Sequence, residues 1–228
     1  MSLPVGVLRF PGTNCDRDVF GALAEKIETR DGTKDVTRDG KEKLQWLWHA
    51  DRFDAKAYGA LYLPGGFSFG DYLRSGALAA RSPVMDSVRE AARRGVPVLG
   101  ICNGFQILCE AGLLPGVLIR NRTLRFIDAW VGLKLASAQP HFASGFAAGH
   151  EVRLPIAHAD GRYVVQDDEL KAMQDRGQIW WTYQDNPNGS VADIAGVMNE
   201  KKNVAALMPH PERAVHEWMG GTDGEMFF

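Results

Sequence analysis

Short apolar runs recur along the first half of the chain, and each stops at a glycine or proline turn. Val5 to Phe10 stops at Pro11-Gly12, Ala60 to Leu63 at Pro64-Gly65-Gly66, and Val96 to Ile101 just before Cys102-Asn103-Gly104. These runs read as strands buried on both faces. Helical segments separate them. Thr13-Asn14 offers an N-cap, with Asp16 and Asp18 in the first turn of a helix running toward Ile27. Pro83 to Arg94 puts Val84, Val88 and Ala91 on one face and is closed by Gly95; Gly104 to Ala111 is closed by Gly112. A further strand falls near Leu44 to Trp48. Buried strands alternating with helices restrict the chain to an α/β fold built on a parallel sheet covered on both faces.

After Leu118 the pattern changes. Phe126 to Ala136 and Glu151 to His158 alternate in the manner of antiparallel strands, and Asn203 to Val215 reads as a short strand and then a helix. Glu28 to Lys43 is polar and carries Arg-Asp-Gly twice, which predicts an exposed loop or small hairpin. No repeat or linker divides the 228 residues, so a single domain over 1–228 is expected. The net charge of −2 gives no sign of a dedicated nucleic-acid or anionic-membrane binder, and no apolar run has the length of a membrane span. The N-terminus lacks the basic and apolar regions of a signal peptide. Three cysteines, Cys15, Cys102 and Cys109, show neither a disulfide framework nor metal-ligand spacing, so the cytoplasm is the expected compartment and no metal is expected.

Gly100-Ile101-Cys102-Asn103-Gly104 lies where a buried strand becomes a helix. A sharp turn there needs small neighbours and pushes one side chain out at the carboxyl end of the sheet. This is the physical content of the Gly-x-Ser-x-Gly elbow, and here cysteine takes the serine position. The helix N-terminus places positive potential at the sulfur, and the Asn103 amide would point at an oxyanion. A small buried cysteine beside a tight turn is the competing reading. A nucleophilic thiol also needs a base, and the base an orienter. Of six histidines, His210 stands out, in Pro209-His210-Pro211-Glu212. The prolines oppose a continuous helix, and in extended chain residues two apart share a face, so Glu212 can lie beside the imidazole. The alternative is that His210 caps a helix and Glu212 pairs with an arginine. Cys109 reads as core. Cys15 follows another strand-to-helix turn, but it lacks paired glycines, and Asp16 and Asp18 would disfavour its thiolate. The tryptophans, Trp180-Trp181 included, read as core or interface mass.

The segments LGICNGFQ and PHPE resemble the class I, triad-type glutamine amidotransferases. FPGTNCDRD, LPGGFSFGDYLRSGALAA, LPIAHADGRY, NPNGSVADIAGV, LMPHPERA and the terminal TDG are more closely similar to the glutaminase subunits of phosphoribosylformylglycinamidine synthase, of purine biosynthesis. These blocks run in order from Phe10 to Gly224; only the polar stretch Glu28 to Lys43 is longer than the resemblance leads one to expect. The resemblance implies a flavodoxin-like three-layer α/β/α sandwich whose mostly parallel sheet carries a small antiparallel extension. It also implies glutamine hydrolysis through a γ-glutamyl thioester on Cys102, with His210 moving protons and Glu212 orienting it. Gly66 joins Asn103 as an oxyanion donor, and Gln106, Arg125 and Phe126 are implied to hold glutamine. Ammonia would pass to a large synthetase subunit that activates formylglycinamide ribonucleotide, with a small third subunit in the complex. ATP and magnesium would belong to that partner, with no cofactor in this chain.

The alternatives are distinguishable. Related cysteine peptidases or chaperone-like proteins lack the C-terminal His-x-Glu and the Gln106 turn. A non-catalytic binding module would be expected to lose Cys102 or His210. An N-terminal-nucleophile amidotransferase needs a cysteine ahead of Cys15. Coupling to the partner is expected to rest on the glycine-rich Gly65 to Gly70, which can reposition to assemble the oxyanion site.

Overall fold

The computed structural model describes residues 3–31, 37–38 and 41–228, without the side chains of 29–31, 37–38 and 41–42. The first half holds β1 (Val5–Arg9), α1 (Asp16–Asp31), β2 (Thr37–Arg38), β3 (Lys41–Glu42), β4 (Leu44–Trp48), β5 (Ala60–Leu63), α2 (Val84–Arg93), β6 (Val98–Ile101) and α3 (Asn103–Glu110). The second holds β7 (Val117–Ile119), β8 (Ile127–Leu135), β9 (Glu151–His158), β10 (Arg162–Val164), α4 (Asp167–Asp175), β11 (Ile179–Tyr183), β12 (Ile194–Met198) and β13 (Val204–Leu207). β2 and β3 pair antiparallel, which is the hairpin alternative for the polar stretch. Residues 32–36 and 39–40, with parts of both Arg-Asp-Gly turns, lie outside the described residues, as do Met1 and Ser2.

One nine-stranded sheet has the order β4-β1-β5-β6-β13-β12-β11-β8-β9. The first five strands are mutually parallel. The remaining four continue antiparallel. This is the mixed α/β architecture expected from the sequence, and its antiparallel extension comprises four strands. The inner parallel strands β1, β5, β6 and β13 have no exposed residue, and every residue of β6 and β13 is buried. β9 instead alternates, with Val152, Leu154, Ile156 and His158 inward, so the period of two puts a histidine among the buried set.

Several elements differ from the sequence reading. No α-helix follows β13; Pro211–Arg213, with proline at its first position, forms one 3-10 turn, and two more short 3-10 segments, Glu217–Met219 and Asp223–Phe227, close the chain's fold. α4 and the strands β7, β10, β11 and β12 are additional. β11 buries Trp180 and Trp181 on opposite faces of a sheet that is covered on both, so its run shows no alternation to read. Of the tryptophans read as core or interface mass, Trp180 and Trp181 are in the core, and Trp46, Trp48 and Trp218 are exposed.

The order of the parallel strands positions the loops that carry chemistry. The chain leaves β1, β5, β6 and β13, neighbours in the sheet, at the same edge. In parallel sheets the crevice beyond the carboxyl ends is where ligands gather.

Candidate active site

Cys102 occupies the junction between β6 and α3 at φ 50° and ψ −104°. A non-glycine residue is strained there. The surrounding glycines permit it: a Cβ on Gly104 would lie 2.0 Å from the Leu63 carbonyl oxygen, and one on Gly100 would lie 2.8 Å from the Gly104 backbone. Only bare backbone lets α3 approach β5 so closely, and this packing holds the elbow. Asn103 heads α3, so its N–H is among the donors that a helix leaves without an internal acceptor. Its side chain is committed, accepting from Ser68 N at 3.1 Å and donating to Gln106 Oε1 at 2.8 Å.

His210 arrives from the end of β13. Its backbone N–H donates to the Pro155 carbonyl at 2.8 Å, which ties it to β9. Nδ1 lies 2.6 Å from Glu212 Oε1, and both side chains are buried. Nδ1–H donating to the carboxylate leaves Nε2 to face the reacting centre. Nε2 is buried with no hydrogen-bond partner in good geometry among the described residues. Burial opposes a charge on this imidazole, but the Glu212 carboxylate and the Cys102 and Cys15 sulfurs outweigh it and raise its pKa well above the usual histidine value. A protonated Nε2 at this position can give its proton to a group leaving the reacting centre.

The cavity over these groups, about 120 Å³, is lined by Asn14, Cys15, Gly66, Phe67, Cys102, Phe126, Ala157, His210 and Arg213. Its floor is Gly65, where an added Cβ would meet His210 Cε1 at 2.8 Å, Cys15 Sγ at 3.2 Å and Cys102 Cβ at 3.3 Å. Four loops, one from each neighbouring parallel strand, therefore supply most of the wall, and Phe126 and Ala157 of the antiparallel half complete it. Gly66, at φ 139°, sits against Asn14 N and the Gly12 carbonyl with no room for a Cβ.

Of the residues expected from the sequence, Cys102, His210, Gly66 and Phe126 line this cavity, and Glu212 and Asn103 abut it through His210 and Cys102. Gln106 is placed differently. Its Nε2 donates to the Asp160 carbonyl at 2.7 Å and its Oε1 accepts from Asn103, so both ends of the amide are consumed in bracing the elbow. Arg125 is exposed and outside the lining; its carbonyl accepts from Asn121 Nδ2 at 2.9 Å.

Cys15, Arg213 and Asn14 are the residues the sequence reading did not assign. Cys15 Sγ accepts from Arg213 Nη2 at 3.1 Å and donates to Asn14 Oδ1 at 3.3 Å. Its thiol is pushed up by burial, against the pull of His210 and Arg213, and not by the neighbouring aspartates. Asp16 turns away to pair with Arg9 at 2.6 Å. Thr13, read as a helix cap, instead accepts from Phe10 N at 3.0 Å. His158 is buried behind the cavity, its Nδ1 3.2 Å from Asn121 Oδ1. Cys15, His210 and Glu212 also present ligand atoms within 4.8 Å of one another.

The family model for the CobB/CobQ-like glutamine amidotransferase domain matches residues 3–223. The chain is 49% identical, over 99% of its length and 96% of the relative's, to the phosphoribosylformylglycinamidine synthase subunit PurQ of Cereibacter sphaeroides. It is 45% identical, over 98% of its length and 92% of the relative's, to the subunit of the same name from Alkaliphilus metalliredigens. Among solved structures it is similar to a chain of PurLQS from Thermotoga maritima, with a TM-score of 0.82 and 43% identity over 99% of this chain and 95% of that one. A glutamine amidotransferase from the same organism shares the fold at a TM-score of 0.59 and 17% identity, over 94% of this chain and 78% of that one.

Proposed function

This chain belongs to the CobB/CobQ-like glutamine amidotransferase family, and on that footing we propose that it is the glutaminase subunit of a phosphoribosylformylglycinamidine synthase. Its product, ammonia, serves the amidation of formylglycinamide ribonucleotide in purine biosynthesis. One observation carries the chemistry: Cys102 stands on a strained elbow beside an imidazole that Glu212 holds at 2.6 Å.

The geometry supports a two-stage course. The Cys102 thiolate attacks the side-chain amide carbon of glutamine. The oxyanion is met by the Asn103 N–H and, across the cavity, by the Gly66 N–H. His210 gives its Nε2 proton to the departing nitrogen, and the C–N bond breaks to release ammonia. The γ-glutamyl thioester remains on Cys102. Water, relieved of a proton by His210, then attacks it; glutamate leaves and the thiolate returns. Glu212 keeps Nδ1 as the proton-bearing nitrogen throughout. Phe126, half exposed, forms the apolar rim of the entrance.

The partners are a large synthetase subunit and a small third subunit, in keeping with the relative named PurLQS. ATP and magnesium act on the synthetase, and the complex works in the cytoplasm. No helix among the described residues is long and apolar enough to cross a membrane. The test is reconstitution with the synthetase. Cys102→Ala should abolish glutamine-dependent product formation while added ammonium still supports it. Glutamine-dependent turnover by that variant would refute the mechanism.

A further inference from the structure

The catalytic course uses one thiol, yet the cavity holds two. Cys102 and Cys15 come from different loops, both are buried, and both flank His210 over Gly65. His210 Nε2 is aimed into the same space, buried and without a partner in good geometry. Behind it, Glu212 accepts from Nδ1. Two sulfurs and an imidazole whose other nitrogen is fixed by a carboxylate form a donor set suited to a soft, tetrahedral cation. The carboxylate–histidine pair is the supporting arrangement that ligating histidines use.

We propose that Cys15, Cys102 and His210 Nε2 form a binding site for a thiophilic divalent cation of the zinc class, and that the ion, when held, blocks the glutaminase. The ligand atoms of Cys15, His210 and Glu212 already lie within 4.8 Å of one another. The Cys102 sulfur, now 4.0 Å from the Ala157 carbonyl, joins by rotating about its Cα–Cβ bond. A fourth position stays open toward the cavity for water. The charges suit a buried place: two thiolates and a neutral imidazole cancel the dication, whereas an uncompensated ion would be costly there. Binding releases two protons to solvent, whether the site starts as two thiols with a neutral imidazole or as one thiol with a thiolate–imidazolium pair. No electron is transferred.

Two neighbours bear on the site. Asn14 Oδ1 accepts from the Cys15 thiol and loses that proton when the ion binds. Arg213 donates to the same sulfur and can keep doing so while the sulfur ligates, with Asp18 3.5 Å away to balance its charge.

The experiment uses the full chain without glutamine or synthetase, so its outcome is independent of whether the amidotransferase reading holds. Zn²⁺ is titrated in competition with a chromophoric chelator, and Co²⁺ is added separately to read thiolate-to-cobalt charge-transfer absorption. One ion per chain is expected, with a charge-transfer band. Cys15→Ser should weaken Zn²⁺ binding by more than about tenfold. Cys109→Ser should leave it unchanged, since that sulfur lies in α3 against the Pro115 carbonyl, outside the cavity. In the wild-type chain, Zn²⁺ should also shield Cys15 and Cys102, but not Cys109, from alkylation mapped by peptide mass spectrometry. This readout stands even if the serine variant fails to fold. Undiminished Zn²⁺ affinity in Cys15→Ser, absence of the cobalt–thiolate band, or unshielded Cys15 would each overturn the proposal.

Discussion

Glu212 lies two residues from His210, and the Pro211 between them sets the turn that brings the carboxylate back to Nδ1. Its charge is the chief influence raising the imidazole's pKa against burial. Glu212→Gln should therefore lower kcat by at least about a hundredfold, the scale of a general acid–base contribution. It should also move the alkaline limb of the pH–rate profile to lower pH, because the imidazole holds its proton less firmly. His158 gives the opposite case. Burial and the His210 charge depress its pKa to about 4. Between the unfolded value near 6.5 and that folded value, the unfolded chain binds a proton that the folded chain refuses, so stability falls as the pH drops through this window. The loss is on the order of 3 kcal/mol. Urea unfolding of wild type and His158→Asn at pH 7 and pH 4.5 should show a correspondingly shallower acid loss in the variant. Cys102, His210 and Glu212 were legible in the sequence because each has a local signature: paired glycines, flanking prolines, and a spacing of two. Arg213 has none, and Cys15 only a strand-to-helix turn without paired glycines; their contact with each other exists only once β1 and β13 are brought to one sheet edge. The Gln106 amide, which the likeness implies holds glutamine, is bonded to Asn103 and to the Asp160 carbonyl.

Among the elements, the elbow depends on α3 lying against β5. Gly104→Ala would drive a methyl group to 2.0 Å from a backbone oxygen that cannot swing aside. A loss of roughly 1–3 kcal/mol is expected, read as a lower urea midpoint at unchanged slope. Activity should fall more than stability, because relief of the clash must shift the strand end or the nucleophile's own turn. The parallel strands β1, β5, β6 and β13 were readable as short apolar runs ended by a turn that carries glycine or proline. β11 was not, because a strand covered on both faces next to two further hydrophobic strands loses the period of two that marks β8 and β9. After His210 the chain turns only through Pro211–Arg213, so the helix read there does not form.

Across the molecule as a unit, the segment after Gly66 has features of a part that moves. Phe69, Gly70, Asp71 and Leu73 all have positive φ, and Phe67, Tyr72 and Leu73 are exposed. Phe126 is exposed too, and it lines the same cavity as Phe67. A synthetase contacting this rim can set the Gly66 N–H through the strained segment, so the isolated chain should hydrolyse glutamine more slowly than the reconstituted complex, with the difference in kcat. Equal rates would remove the case for gating. The chemistry proposed for this cavity rests on the thioester forming on Cys102 and nowhere else, although a second thiol shares the same imidazole. Acid-quenching the complex during glutamine turnover and mapping the γ-glutamyl adduct by peptide mass spectrometry reads this out at the reacting atom. The adduct is predicted on Cys102 alone; an adduct on Cys15, or none while turnover is sustained, would be incompatible with it.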